Sequence, residues 1–307
     1  MHTHHHFTWL SVGVLLFLSS CSSPLPRQSL SKSNSTNRPL GSEWFDGKAE
    51  MNSFALRQAR YGEIREGKAM LLFVTEDFSR SKQVKLDAPK SGDADRISVL
   101  KMNLSKSFVT GIYPYHMLLS SFSPIGENVP QHALKVSASI QEWCGHAYVQ
   151  LNQQEDSFLL QGFSYFESEV QTRQKLPLVY AEDELWNLIR IQPDALPTGR
   201  QQILPSLFFC RLKHKPMIPV EAQCTMSAVS DTSQNYEVFI PVFERKWSVT
   251  FEKNPPYKIL SWMESYPDGA QTLSTEARLI HSERLDYWNL NSVSDTLYRK
   301  RFSLDDQ

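Results

Sequence analysis

The residue types that could do chemistry gather in one stretch, "IQEWCGHAYVQLN", residues 140–152. Cys144 and His146 stand two apart, with Glu142, Tyr148 and two amides beside them. A thiol and an imidazole can act as nucleophile and base, can share a metal, or can be parts of one polar strand face. Spacing bears on the choice. Alternate residues of a strand share a face. That places Trp143, Gly145, Ala147, Val149 and Leu151 on a core face, and Glu142, Cys144, His146, Tyr148, Gln150 and Asn152 on the other. Neighbours on one face lie ~7 Å apart at Cα, too far for a direct thiol–imidazole hydrogen bond unless the side chains lean together. Zinc takes three or four ligands, and the further candidates, His116 and His132, have no place fixed by the sequence. A strand cysteine is most often a small buried hydrophobe. The expectation is therefore no metal, no cofactor and no catalytic residue. Glu142, Cys144, His146 and Tyr148 are candidate walls of a binding cavity, and a Cys144–His146 hydrolase site stands as the alternative.

No G-x-S-x-G, H-E-x-x-H, P-loop or Gly-rich dinucleotide fingerprint occurs. Glu182-Asp183-Glu184 reads as the acidic first turn of a helix, not as an acid–base pair. Aromatic residues in "YPYHMLLSSF" and "FSYFES" read as core or cavity lining.

The elements that must position these residues are mostly strands. "KAMLLFVTEDF" and "RISVLKMNLSKSFV" are strand-like, and "HALKVSASI", "EWCGHAYVQLN" and "SFLLQGFSYFE" read as three neighbouring antiparallel strands. "QQILPSLFFCRL", "EAQCTMSAV", "NYEVFIPVF", "KWSVTFEKN", "PYKILSWMESY" and "TLSTEARLIHSERLDYW" continue the series. This predicts a mainly β fold, a strongly curved antiparallel sheet or partly open barrel, with room for two packed halves dividing near 181–200. Two short helices are expected. One is "AEDELWNLIRIQ" (181–192), which presents Leu185, Leu188 and Ile189 at helical spacing and stops before Pro193. Its expected place is across one mouth of the sheet. The other is "SVSDTLYRKRFSL" near the C-terminus.

The chain opens "MHTHHHFTWLSVGVLLFLSSCSS". Phe7 to Leu18 is too short to span a bilayer, which needs ~20 residues, and fits the h-region of a secretory leader. Leu18-Ser19-Ser20-Cys21 resembles the lipobox of bacterial lipoproteins. The resemblance implies a signal peptide over 1–20 and a lipidated, palmitate-bearing Cys21. Residues 22–43 are rich in Ser, Pro and Asn and read, with Cys21, as a disordered tether before a β-rich domain over 44–307. Ser22 is not the aspartate of an inner-membrane retention signal, so the expected address is the periplasmic face of the outer membrane. The formal charge of −1 argues against a nucleic-acid partner.

Cys144, Cys210 and Cys224 then remain, an odd number in an oxidising compartment. Read as two strands about a turn at 213–219, Cys210 and Cys224 would face each other in a hairpin. They are the candidate disulfide, with Cys144 the free thiol.

"GKAEMNSFALRQARYGEIREGKAMLLFVTEDFSRSKQVK", "TGIYPYHMLLSSFSP", "ALKVSASIQEWCGHAYVQLN" and "EDELWNLIRIQPDALPTG" resemble an uncharacterised Gram-negative lipoprotein family over residues 44–290. Its members carry the label septum formation inhibitor Maf. Only Ser23-Pro24-Leu25-Pro26-Arg27 has any likeness to the Maf pyrophosphatase motif, so the resemblance implies an address and no activity. The reading is a non-enzymatic, lipid-anchored envelope protein that binds an apolar ligand or a protein partner. An envelope hydrolase and a structural interaction protein are the alternatives.

Overall fold

The computed structural model describes residues 36–38, 40–167, 172–269 and 271–304. The expected leader, Cys21 and most of the expected tether lie outside them. Residues 34–307 form one compact unit that contains every described strand pairing. The described residues include part of the span expected as a tether before 44. Strand β1 (Thr36–Arg38) already pairs with a later strand, and Ser42–Phe45 forms a 3-10 turn seated by buried Trp44.

Among the described residues, sixteen strands make one sheet. After β1 the chain builds β2 (Ala49–Arg60), β3 (Glu63–Ser79), the short β4 (Val84–Lys85) and β5 (Arg96–Thr110). It continues with β6 (Tyr113–Pro124), β7 (Gly126–Val129, the partner of β1), β8 (Lys135–Glu142) and β9 (Gly145–Gln153). Strands β10 (Ser157–Ser164) and β11 (Thr172–Pro177) complete this half. Apart from β4 and β7, these strands lie side by side in chain order, each antiparallel to the last. The two-residue turn between β2 and β3 puts Tyr61 and Gly62 at positive φ, the geometry whose twist matches the flanking strands.

The chain then crosses to the far edge. Strand β12 (Tyr180–Ala181) is parallel to β13 (Gly199–Leu204), and β14 (Val220–Ala228), β15 (Ser233–Ile240), β16 (Arg245–Glu252), β17 (Ile259–Asp268) and β18 (Gln271–Leu285) return to the middle. There β18 pairs with β2. The edges β11 and β12 do not pair, yet only Leu178 and Val179 separate them. Three residue steps span at most ~11 Å. The sheet therefore curls almost into a barrel and stays open along one seam. Core-side alternation is clear in β5, where Met102, Leu104 and Phe108 are buried. Lys101, Asn103, Ser105 and Ser107 turn outward, the reverse of a lipid-facing barrel. Among the described residues no helix is long and apolar enough to cross a membrane.

Helix α1 (Glu182–Ile191) forms where the pattern predicts it, but not across a mouth. All ten of its residues are buried, so it lies inside the curve of the sheet. Trp186 meets Trp247 of β16 and Trp262 of β17 at ring distances of 5.1 and 5.4 Å. Leu185, Leu188 and Ile189 join a single core that includes Phe54, Phe73 and Phe158 of one half and Val249, Phe251 and Trp262 of the other. The two halves thus share one sheet and one core. A buried ring removes ~150–250 Å² from water, worth about 4–6 kcal/mol at ~25 cal/mol per Å².

The polar residues of α1 are buried, and they bond to the sheet and to the segments packed around it. Arg190 holds Glu50 of β2 through both carboxylate oxygens and donates to the Pro256 carbonyl. Asn187 donates to the carbonyls of Leu100 and Ser121 and to Ser123 Oγ. Glu184 accepts from the Ala133 and Ala181 amides and contacts His132 at 2.9 Å. Arg245 of β16 grips Glu182 at 2.5 and 2.7 Å and Glu264 of β17 at 2.7 Å. Desolvation cancels much of the attraction in such pairs, but stranding one partner costs ~3–5 kcal/mol. The bonds therefore penalise any other seating of the helix.

Pro205 ends β13, and α2 (Leu207–Leu212) follows where a continuous strand was expected. The hairpin between Cys210 and Cys224 is corrected with it. Cys210 is on α2, Cys224 is on β14, and both are buried free thiols. Near the C-terminus a 3-10 turn (Val293–Leu297) runs into α3 (Tyr298–Arg301).

Asp183 accepts the Leu207 amide at 2.8 Å and so ties α1 to α2. Burial, and after it the Glu182 carboxylate, push Asp183 up from 3.8 to about 7. The folded state then keeps a proton that the unfolded chain releases. Stability is fully present below pH 3.8 and is lost as pH rises towards 7. The Asp183→Asn variant lacks this loss. Its unfolding free energy, from denaturant titration, should match the wild type near pH 4 and exceed it at pH 8, by a margin on the order of 4 kcal/mol at ~1.4 kcal/mol per unit. A margin that is flat across pH would contradict the assignment.

Candidate functional site

Two adjoining cavities open at the end of the sheet where β8 turns into β9. The larger, of about 490 Å³, lies between the inner face of β9–β11 and the chain leaving α2. That is within the ~300–1,000 Å³ usual for small-molecule sites. The smaller, of about 110 Å³, shares Arg211 and His214 with it and reaches Glu142 and Cys144.

The sheet wall is open because its residues are small. Gly162 of β10 pairs with Val149 on one side and with Thr172 on the other, and Ser164 pairs with Ala147. All of these line the larger cavity, with Leu160 deeper along β10. A Cβ on Gly162 would meet Val149 at 3.6 Å and Thr172 at 3.7 Å, ordinary contacts.

The opposite wall is Arg211, His214, Lys215, Pro216, Met217 and Ile218. The Arg60 guanidinium donates to the Leu212 carbonyl at 2.6 Å and so holds the last turn of α2. Lys213 meets Asp268 at 2.7 Å, which fixes the following loop to β17. The Lys215 amide donates to the Cys210 carbonyl. Arg211 lies over the Phe166 ring at 4.5 Å. The cavity thus combines apolar Val149 and Leu160 on the sheet side and Met217 on the other with three basic side chains. That chemistry suits a molecule with an apolar body and an acidic end. Another cavity, of about 510 Å³, lies by Trp44, Arg190 and Tyr257, but Arg190 there is already held by Glu50.

The residues singled out from the sequence divide between two faces. Trp143 and Cys144 form the two-residue turn between β8 and β9, so the strand alternation begins only after them. Trp143 is exposed, not core. Glu142 and Cys144 border the smaller cavity. His146 and Tyr148 lie on the outer face of β9, opposite to buried Ala147 and Val149. His146 Nε2 is 2.8 Å from Ser139 Oγ, and the Tyr148 hydroxyl donates to Gln150. Cys144 and His146 therefore share neither face nor pocket. His116 is exposed beside Ser107, and His132 is held by Glu184. Among the described residues no three His, Cys, Asp or Glu gather to hold a metal ion.

Sequence reasoning missed Arg211, His214 and Lys215, because "FFCRLKHK" reads as a strand running into a turn. The signal it did contain was the density of basic residues directly after two aromatic ones. Comparison with family models, with curated proteins and with solved structures finds no match for this chain.

Cys144 is not an activated thiol. The hydrogen bond and charge of Glu142 raise its pKa, which lowers its thiolate fraction. Burial pushes the Cys210 and Cys224 thiols up as well. Iodoacetamide on the native protein should modify Cys144 and spare Cys210 and Cys224. Glu142→Gln should speed that reaction at pH 8. Mass spectrometry after timed quenching reads both outcomes, and a slower reaction in the variant would contradict the charge argument.

Proposed function

We propose that this chain is a lipid-anchored envelope protein that holds an amphiphile with an apolar body and an acidic end. The observation that carries the reading is the cavity at the seam of the curled sheet. It is lined by apolar Val149, Leu160 and Met217, its sheet wall is cleared by Gly162, Ala147 and Ser164, and its mouth carries Arg211, His214 and Lys215. The anchor rests on the order of the leader, with apolar run, small residues and Cys21 in sequence, and on the resemblance to Gram-negative lipoproteins. Ser22 supports the periplasmic face of the outer membrane as the address. A binding role without chemistry is supported by the separation of Cys144 from His146 and by the raised pKa of the Cys144 thiol.

Dansyl-undecanoate, a fluorescent acid with an apolar body, tests the reading. Titration into the purified protein should give saturable fluorescence enhancement. Gly162→Leu places about four carbon groups in the cavity. At ~0.8 kcal/mol per excluded methylene this costs about 3 kcal/mol, or roughly a hundredfold in affinity. The melting temperature of the variant should change little, since the new side chain enters open space. Equal binding by both proteins, or no saturable binding by the wild type, would overturn the proposal.

A further inference from the structure

The antiparallel order of the sheet sends alternate turns to opposite ends. The turns β2–β3, β5–β6, β8–β9 and β10–β11 fall at the cavity end, as do the connections β13–β14, β15–β16 and β17–β18. Both ends expose apolar side chains, with Phe45, Val84, Val229, Trp288, Val293 and Leu297 away from the cavity, but the connections between strands differ. Opposite the cavity the connections carry Asp87, Lys90, Asp93, Glu155, Asp156 and Asp231, as water-facing turns usually do. At the cavity end six of the seven connections present a large apolar or aromatic side chain to solvent. These are Tyr61, Ile112, Trp143, Tyr165, Ile218 and Val242, with Ile112, Trp143 and Tyr165 at 81, 70 and 73 % exposure.

Neighbouring tips touch, so they form a rim and not scattered points. The Gly62 amide donates to Asp268 at the β17–β18 turn. The hydroxyls of Tyr61 and Tyr115 are 2.8 Å apart. The ring of Tyr113, next to Ile112, lies 6.4 Å from Trp143. The basic cavity mouth opens within this rim, since Arg211, His214 and Lys215 belong to the β13–β14 connection. Contiguous exposed apolar groups mark an interaction surface. Trp and Tyr with basic neighbours are the composition that suits the headgroup level of a bilayer, and Lys and Arg are drawn to anionic lipid.

We propose that this rim docks on the surface of a bilayer containing anionic lipid, with the cavity mouth turned to the lipid. The occupant fits on two counts. The exposed apolar residues sit on separate turns, so they can enter a soft interface without a matching groove. Lys215, exposed at the mouth, complements anionic headgroups. The proposal goes beyond the cavity reading and does not need it.

The test uses residues 22–307, which lack the leader and Cys21 but keep the whole compact unit, 34–307. Without lipid of its own, this protein should float with vesicles of phosphatidylcholine containing about 30 % phosphatidylglycerol, and less with phosphatidylcholine alone. Replacing Ile112, Trp143 and Tyr165 by Ser should lower the bound fraction by about tenfold or more, at an unchanged melting temperature. The single variant Trp143→Ser, at the largest of the exposed rings of the turns, gives the same direction if the triple variant folds poorly. Val84→Ser with Val229→Ser, at the opposite end, should leave flotation intact, and so should Gly162→Leu, which separates docking from cavity binding. Failure of the wild type to float, equal flotation on both lipid compositions, or equal flotation of the tip variants would overturn the proposal.

Discussion

A curled sheet of this many strands encloses more space than its own side chains can fill. The structure depends on what fills it. Helix α1 enters the curve with ten buried residues, five of them charged or amide-bearing. Its apolar side alone would not fix its rotation, because large rings pack tolerantly. The rotation is set by the bonds of Arg190 to Glu50, Asn187 to Leu100 and Ser121, and Glu182 to Arg245. These reach strands of both halves, so two meanders that could have folded apart become one body.

The cavity follows from the same arrangement. Along the seam, Leu178 and Val179 hold β11 and β12 close at one end only. Towards the other end, among the described residues, no strand pairing bridges the gap, and α2 with its following loop stands beside it. Small residues on β9, β10 and β11 leave that end unfilled. Asp183 links the plug to this wall by accepting the Leu207 amide. The polar interior and the open mouth are thus connected through one buried carboxylate. Lys106, buried over the Phe208 ring at 5.6 Å, adds a cation near the same carboxylates, and burial lowers its pKa.

Much of the fold was legible in the sequence because strand alternation is local. The β8–β9–β10 series, the extent of α1 and the partly open curl all followed from residue type and spacing. The failures were tertiary. Glu182-Asp183-Glu184 is indeed a helix start, but nothing local shows that Arg245 and Leu207 bury it. The helix at 207–212 was misread because Phe208, Phe209 and Cys210 suit a strand equally well, and the disulfide inferred between Cys210 and Cys224 fell with it. The face assignment of β9 was right from Ala147 onward and wrong at Trp143 and Cys144, where the chain turns. Of the candidate wall, Glu142 and Cys144 border a cavity, while His146 and Tyr148 face outward.

The central claim is that α1 makes the two halves a single cooperative body. Native-state hydrogen exchange across a denaturant series, read by mass spectrometry of peptides from α1, β5 and β16, tests it most directly. The account predicts that all three peptides lose protection together, at one free energy equal to that of global unfolding. Exchange of β5 and β16 at two separate free energies, or of α1 well below both, would contradict it.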